Sequence, residues 1–336
     1  SLPMFMRRPE FNPITPSELD PPDIPAPPTR YEDLSTKPAA QIAYKNSYYS
    51  GYGPQRAVRA SYENNEQEYR NLYYRLHAEV DGPLDRVRKA LTVDTSREKV
   101  IFRTSDHGDL LGAHGGLHQK WFNLYDEATR VPFEIIKYGT EGSPKGSIDS
   151  VPTSHVDLIP TALALAGLDQ VELGQRLAPL FSEFHSLPGK DLSPLLLDPE
   201  TEEFKNRAIY FMTRDNMLEG DTLASAMARG LGRADNPPRP LKIQVLPHVS
   251  TNFEGIVVKV TDNEVAGVND SIWKITRAHD DPEPWTIQNR ANLSSSGPMG
   301  DTYRIDKLPD QYELYDLTND PTESSNLWKD PKASEV

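Results

Sequence analysis

The stretch VIFRTSDHGDLLGAHGGLHQKWFNLYDEATRVP, residues 100–132, concentrates groups able to do chemistry. Asp106 and His107 stand side by side just after the apolar run Val100-Ile101-Phe102, and His114, His118 and Lys120 follow. Three of the chain's eight histidines therefore fall within twelve residues. An adjacent Asp-His pair at a strand end can present a carboxylate oxygen and an imidazole nitrogen to one cation. Oxygen-rich sites suit Mg, Ca or Mn, and an imidazole tilts the choice toward Mn or Zn. Gly108 lets the backbone turn sharply past such an ion. An ammonium at Lys120 can hold the oxygens of a tetrahedral oxyanion and neutralise charge as a bond breaks. Two ligands do not make a site, so at least two more carboxylates have to come from elsewhere. Each residue alone also has a structural reading. The Asp-His pair can be a cap and a turn, Lys120 a solvated surface group, and His114 and His118 partners in local hydrogen bonds.

The flanking sequence supplies elements to hold these groups. From about 60 to 92, Tyr69, Leu72, Tyr73, Leu76, Val80, Leu84, Val87 and Leu91 recur at steps of three and four, the period of one helical face. Asn64 or Asn65 could cap that helix, and Gly82-Pro83 is expected to kink or split it. Lys99–Phe102 reads as a short buried strand, and residues 131–139 and 208–212 as two more. Residues 154–168 read as a helix ended by Gly167 and capped near Asp157 or Ser154. Alternating helices and strands favour an α/β sheet with helices on its faces, where ligands collect at the carboxyl ends of strands. After about 205, EGIVVKVTD and SIWKITRAH alternate or run β-branched, and QYELYDLTNDPTESSNLW follows, suggesting a small antiparallel sheet. Residues 292–301 look like a mobile loop. Ten prolines in residues 1–38 forbid helix and central strand, so this part reads as an extended segment lying over a surface or as a linker.

Composition narrows the class. A chain of 336 residues can bury a large core. A net charge of -14 argues against a nucleic-acid binder, and no segment approaches the apolar length that spans a bilayer. The chain has no cysteine, which removes disulfides, thiolate metal sites and thiol nucleophiles. It opens on Ser1, and a processing boundary is one reading of that start.

Taken together, the motifs resemble the carboxyl-terminal half of the sulfatase family, within the alkaline phosphatase superfamily. The family signature is a strand, then Ser-Asp-His-Gly or Ser-Asp-Asn-Gly, a Gly-rich turn, a lysine, Tyr-Glu-Glu-like residues and Arg-Val-Pro, so His107 stands where many members have asparagine. This chain has TSDHGDLLGAHG, then Lys120, then YDEATRVP at 125–132. YYRLHAEVDGPLDRVRKAL before it, and TSHVDLIPTALALAGL, LPGKDLSPLLL and YELYDLTNDPTESSNL after it, resemble further landmarks in the same order, over about residues 69–328. One residue looks inserted in HGGLHQK. The resemblance implies Asp106 and His107 as metal ligands, Lys120 as a catalytic and substrate-binding residue on the sulfate oxygens, and His118 as a further catalytic and substrate contact. Glu127 and Arg130 would brace the turn. It implies a divalent metal, Ca2+ first with Mn2+ or Mg2+ as alternatives, and a formylglycine nucleophile. The motif that generates formylglycine, C/S-x-P/A-x-R, is absent here, as is the family's amino-terminal Asp-Asp pair. The chain is therefore expected to be completed by an amino-terminal portion of the same enzyme.

The fold expected is α/β, a large mixed sheet flanked by helices, alkaline phosphatase-like, with a smaller carboxyl-terminal antiparallel-sheet subdomain. Its divisions are a Pro-rich extended segment packed on the main domain (1–60), the second part of the sulfatase-like domain (61–205), and a small α+β subdomain (206–336). The activity expected is sulfuric ester hydrolysis, arylsulfatase-like, by a homo-oligomer of the complete unit, with no nucleic-acid or membrane partner. Aromatics at 44–53 and Trp121 could line a sugar or aryl pocket. Two rivals stand beside this: a phosphodiesterase or phosphonate monoester hydrolase of the same superfamily, and a catalytically silent subunit or pseudoenzyme.

Overall fold

Strand β1 (Lys99–Thr104) carries the apolar run straight into Ser105-Asp106-His107 and pairs antiparallel with β2 (Phe133–Tyr138), Lys99 opposite Tyr138 and Thr104 opposite Phe133. The register places the Asp-His pair beyond the open end of this ladder, where β2 begins. The computed structural model describes residues 18–47, 66–93, 96–138, 146, 151–183, 185–199, 201–214, 249–250, 252–261, 270–280, 293–294, 302–303 and 307–329. Residues 1–17 of the Pro-rich segment, Asn64-Asn65, residues 48–53 of the aromatic run and most of 292–301 lie outside the described residues.

Helix α1 (Ala39–Ser47) follows two 3-10 turns at Pro28–Tyr31 and Leu34–Thr36. Helix α2 (Glu66–Thr92) runs unbroken, with Pro83 inside it. Of the kink or split expected at Gly82-Pro83, the split does not occur. A proline there removes one hydrogen bond to the carbonyl of Glu79, and that stretch faces solvent, where water satisfies the group. Two one-turn helices, α3 (Ala113–Gly116) and α4 (Asp126–Thr129), lie between β1 and β2. Helices α5 (Leu158–Leu165) and α6 (Gln170–Leu177) follow β2.

Asp157 does more than cap α5. Its buried carboxylate accepts from the Ser154 and Lys190 backbone N–H groups at 2.8 and 2.9 Å and from the Arg207 guanidinium at 2.6 Å. Three segments distant in sequence are thereby tied at one point. Gly189 is the contact that permits it, since a Cβ there would sit 1.9 Å from the Val156 carbonyl oxygen.

Beyond residue 206 the alternating stretches form one antiparallel sheet in the order β3-β4-β5-β8, from β3 (Ala208–Arg214), β4 (Asn252–Val260), β5 (Ser271–His279) and β8 (Gln311–Asp316). A two-residue ladder, β6 (Leu293–Ser294) with β7 (Thr302–Tyr303), lies between β5 and β8 in sequence. The core joins this sheet to the chemistry-bearing loop: Leu110, Ala113, Leu117, Phe122, Leu124 and Tyr125 pack with Leu34 and Tyr44 against Phe253, Ala278 and Tyr315. Burial of such side chains contributes about 1.5–3 kcal/mol each, so the loop is anchored by the carboxyl-terminal sheet.

Candidate active site

Four backbone hydrogen bonds and one carboxylate fold residues 106–120 back on themselves. Leu110 N–H donates to the Gln119 carbonyl at 2.9 Å, and Gly112 N–H to the Leu117 carbonyl at 2.8 Å. Asp109 accepts from the Leu111 and Gln119 backbone N–H groups at 2.9 and 3.1 Å, clipping both ends of the loop. Burial raises the Asp109 carboxyl above its ordinary value, against those two donors, the nearby His107 ring and the charge of Lys120. Leu111, His114, Gln119 and Phe122 take positive φ, as do Gly112, Gly115 and Gly116, which lets the loop reverse within so few residues. Ala113 N–H to Leu110 and Leu117 N–H to Ala113 complete the four.

The reversal brings Lys120 onto His107: Nζ lies 2.5 Å from Nε2. Nδ1 of the same ring lies 2.8 Å from the Gly108 carbonyl oxygen. A carbonyl only accepts, so Nδ1 carries the hydrogen and Nε2 keeps its lone pair, the form of imidazole that binds a cation. Nε2 also stands 3.3 Å from Asp106 Oδ2, and Asp106 itself is open to solvent. Slight desolvation pushes the Asp106 carboxyl up, but His107, the backbone N–H groups and Lys120 outweigh it and hold the group below the ordinary carboxylate value.

A carboxylate oxygen and an imidazole lone pair facing each other favour a positive charge beside them. The pair therefore fits a divalent ion as part of its ligand set. Among the described residues no group of three or more His, Asp or Glu side chains forms a metal cluster, so the pair is not a complete set. Lys120 also lies 5.8 Å from the centroid of the Trp121 ring, whose Nε1 donates to Gln119.

His118 goes elsewhere. Its side chain is 2% exposed, its ring stands edge-on to Tyr69 of α2 at 6.1 Å, and the Tyr44 hydroxyl donates to its carbonyl at 3.0 Å. Burial, with the charges of Arg30 and Lys45, pushes the imidazole down to about 3, so it is neutral at physiological pH. The structure thus gathers Asp106, His107 and Lys120 and encloses His118. Glu127 meets His114, and Arg130 extends into solvent 3.8 Å from Asp126. Of the aromatic run at 44–53, Tyr44 is buried in the core, edge-on to Phe122.

Two further residues are not evident from sequence spacing. Asp109 shapes the loop that returns Lys120. Tyr73, on α2, has its phenol raised by burial and by the negative charges of Asp109, Tyr74 and Asp106. The Asp in SDHGD is a visible cue for the first; the helical period marks Tyr73 only as one more residue of the α2 face.

A model of the sulfatase family matches residues 30–168. Arylsulfatase K of Danio rerio is 38% identical over 123 residues, covering 35% of this chain and 23% of that protein. The uncharacterized sulfatase YidJ of Escherichia coli K12 is 39% identical over 104 residues, 30% of this chain and 20% of that protein. The solved structure of a 2-O GAG sulfatase superposes with a TM-score of 0.55 at 21% identity, over 96% of this chain and 51% of that one. Residues 30–168 are thus sulfatase-like in sequence, and the chain shares the mixed α/β fold of the solved sulfatase structure, with a small antiparallel sheet toward its carboxyl end. It spans about a quarter or less of those two curated relatives and about half of the solved structure.

Proposed function

We propose that this chain supplies the Asp106–His107–Lys120 side of a sulfuric ester hydrolase active site. The observation that carries the proposal is the convergence of the three groups: Nε2 of His107 within 3.3 Å of the Asp106 carboxylate and 2.5 Å of the Lys120 ammonium. Asp106 and His107 Nε2 would hold a divalent cation, Ca2+ first and Mn2+ or Mg2+ as alternatives. Such an ion, when bound, supplies Lewis-acid polarisation of the ester oxygens. Further ligands and a formylglycine nucleophile would come from the portion of the sulfatase fold outside this chain.

Lys120 offers a positive charge to the nonbridging oxygens of a bound sulfate ester and stabilises the charge that builds there as the ester bond breaks. Gly108 keeps the His107 lone pair aimed at the cation by accepting its Nδ1–H. His118, neutral and enclosed, serves the loop's packing rather than the substrate in this reading.

The rest of the fold has a surface to meet. Val80, Leu84, Val87 and Leu91 form one stripe along α2 and are each about half exposed, as are Val156 just before α5 and Ile159 in its first turn. An apolar stripe at helical spacing normally faces a partner. This chain matches only about half of a solved sulfatase structure, and that stripe is where we place the remainder.

The test is hydrolysis of an aryl sulfate and an aryl phosphodiester by the complete protein, side by side. Preference for the sulfate, lost in Lys120→Ala, supports the proposal. Preference for the diester transfers the same site to the phosphodiesterase reading, and inactivity toward both with metal bound supports a silent subunit.

A further inference from the structure

His114 is fully buried, yet both of its ring nitrogens face carboxylates. Nδ1 lies 2.9 Å from Glu32 Oε2 and Nε2 lies 3.4 Å from Glu127 Oε2. The ring lies flat on Tyr125, centroids 3.5 Å apart and planes 9° from parallel. Its backbone N–H donates to Thr29 Oγ1 at 3.0 Å, with His114 itself in the left-handed region. Carboxylates accept and do not donate, so an imidazole bonded to one at each nitrogen carries both protons and a positive charge.

Glu32 belongs to the segment after the Pro28–Tyr31 turn, and Glu127 to helix α4. His114 therefore joins three stretches: the amino-terminal strap, the catalytic loop and α4. The strap is held in place independently. Lys37 reaches Glu32 Oε1 at 2.9 Å, Arg30 pairs with Glu66 of α2, and Gly115 and Gly116 have no side chain because the Glu32 carbonyl and the Arg30 guanidinium occupy that space.

Helix α4 in turn seats Gly108. The Gly108 N–H donates to the Ala128 carbonyl at 3.0 Å, and a Cβ on Gly108 would stand 2.0 Å from the Glu127 carbonyl oxygen. Gly108 is the residue whose carbonyl accepts the His107 Nδ1–H.

We propose that His114 is a positioning residue: as an imidazolium clamped between Glu32 and Glu127, it fixes helix α4 against Gly108 and so holds His107 in the Nδ1–H tautomer with Nε2 toward Asp106 and Lys120. The proposal rests on the reading of Asp106 and His107 as metal ligands only for its consequence, because the tautomer itself is observable without metal or turnover. Burial pushes the His114 imidazole down, but its bonds to Glu127 and Glu32 and their charges reverse this and raise it above the ordinary histidine value. The other charged groups close to the clamp are Lys37 and Arg30 on the strap side and Asp126 and Lys274 on the α4 side, which pair with one another or with Glu32, Glu66 and Glu323.

The experiment is imidazole nitrogen NMR on the intact, metal-free protein with 15N-labelled histidine, His114 and His107 assigned by single substitutions. At pH 7, His114 is expected doubly protonated and His107 in the Nδ1–H form. In His114→Gln, the His107 tautomer ratio should shift by about fivefold or more toward a mixture, the weight of roughly one hydrogen bond. Glu127→Gln is the second variant, since it removes one charge and no volume and answers the question if His114→Gln does not fold. It should lower the pH at which His114 loses its proton and shift the His107 ratio in the same direction. A neutral His114 at pH 7 in the wild type, or a His107 ratio identical in wild type and Glu127→Gln, overturns the proposal. Neither result bears on whether the complete protein hydrolyses sulfate esters.

Discussion

At the scale of single residues, two histidines four positions apart have opposite charge states for reasons visible in their contacts. His114 faces two carboxylates and is raised above 6.5; His118 faces a phenol ring and nearby cations and is pushed down to about 3. The signs differ accordingly. The stabilisation from His114 is complete below its unfolded value and is lost as pH rises through its raised folded value. The neutral His118 favours folding above 6.5, and that advantage is lost as pH falls from about 6.5 toward about 3. Each pH unit inside either window is worth about 1.4 kcal/mol. Urea midpoints followed across pH should therefore fall on both sides of neutrality. His118→Gln should flatten the acid limb and His114→Gln the alkaline one; limbs unchanged by either variant would contradict the assignment. Lys120 belongs to this scale too: Lys120→Ala should leave the melting temperature within a few degrees while lowering turnover of the complete enzyme by about 100-fold or more. Ordinary turnover in that variant would remove Lys120 from the reaction.

At the scale of elements, what was legible in the sequence followed physical simplicity. Strand β5 is Ser271–His279, the residues of the SIWKITRAH run, because alternation on a sheet with one buried face is a period-two signal with no competitor. The α2 periodicity likewise identifies a helix, and its proline does not split it, since solvent absorbs the lost bond. The Asp106–His107–Lys120 group could be picked out by type and order, but the loop could not. Its path depends on Asp109 clipping two backbone N–H groups and on four non-glycine residues at positive φ, contacts that leave no periodic trace. His118 was unreadable for the same reason: a spacing of two from Lys120 says nothing about which side of a reversing loop it lies on. Two glycine and carboxylate contacts set expected costs here. Gly108→Ala should destabilise by about 1–3 kcal/mol through collision with the Glu127 carbonyl. Asp157→Ala removes the carboxylate partner of the largely enclosed Arg207 guanidinium and should cost about 3–5 kcal/mol. Denaturant titration of the two variants checks both, and wild-type midpoints would show that the backbone yields at these points.

At the scale of the whole molecule, the carboxyl-terminal sheet and the chemistry-bearing loop share one core, and buried polar links reinforce it. Lys274 of β5 donates to the Leu124 carbonyl at 2.9 Å and to Asp126 at 2.5 Å, and the Tyr125 hydroxyl reaches Glu313 of β8 at 2.8 Å. Long-range ties of this kind make the site depend on residues nearly two hundred positions away. The exposed stripe of α2 is where we propose that the remainder of a sulfatase fold docks. Leu84→Asp should weaken that association by about tenfold or more while leaving α2 helical, as sedimentation or size-exclusion of the separately produced portions would report. Unchanged association would move the interface elsewhere. The central claim is that Asp106 and His107 hold a divalent ion in the complete protein. Elemental analysis after exhaustive dialysis tests it most directly: the wild type should retain its divalent metal, and Asp106→Asn and His107→Ala should each lose most of it while remaining folded. Full metal content in both variants would contradict the account.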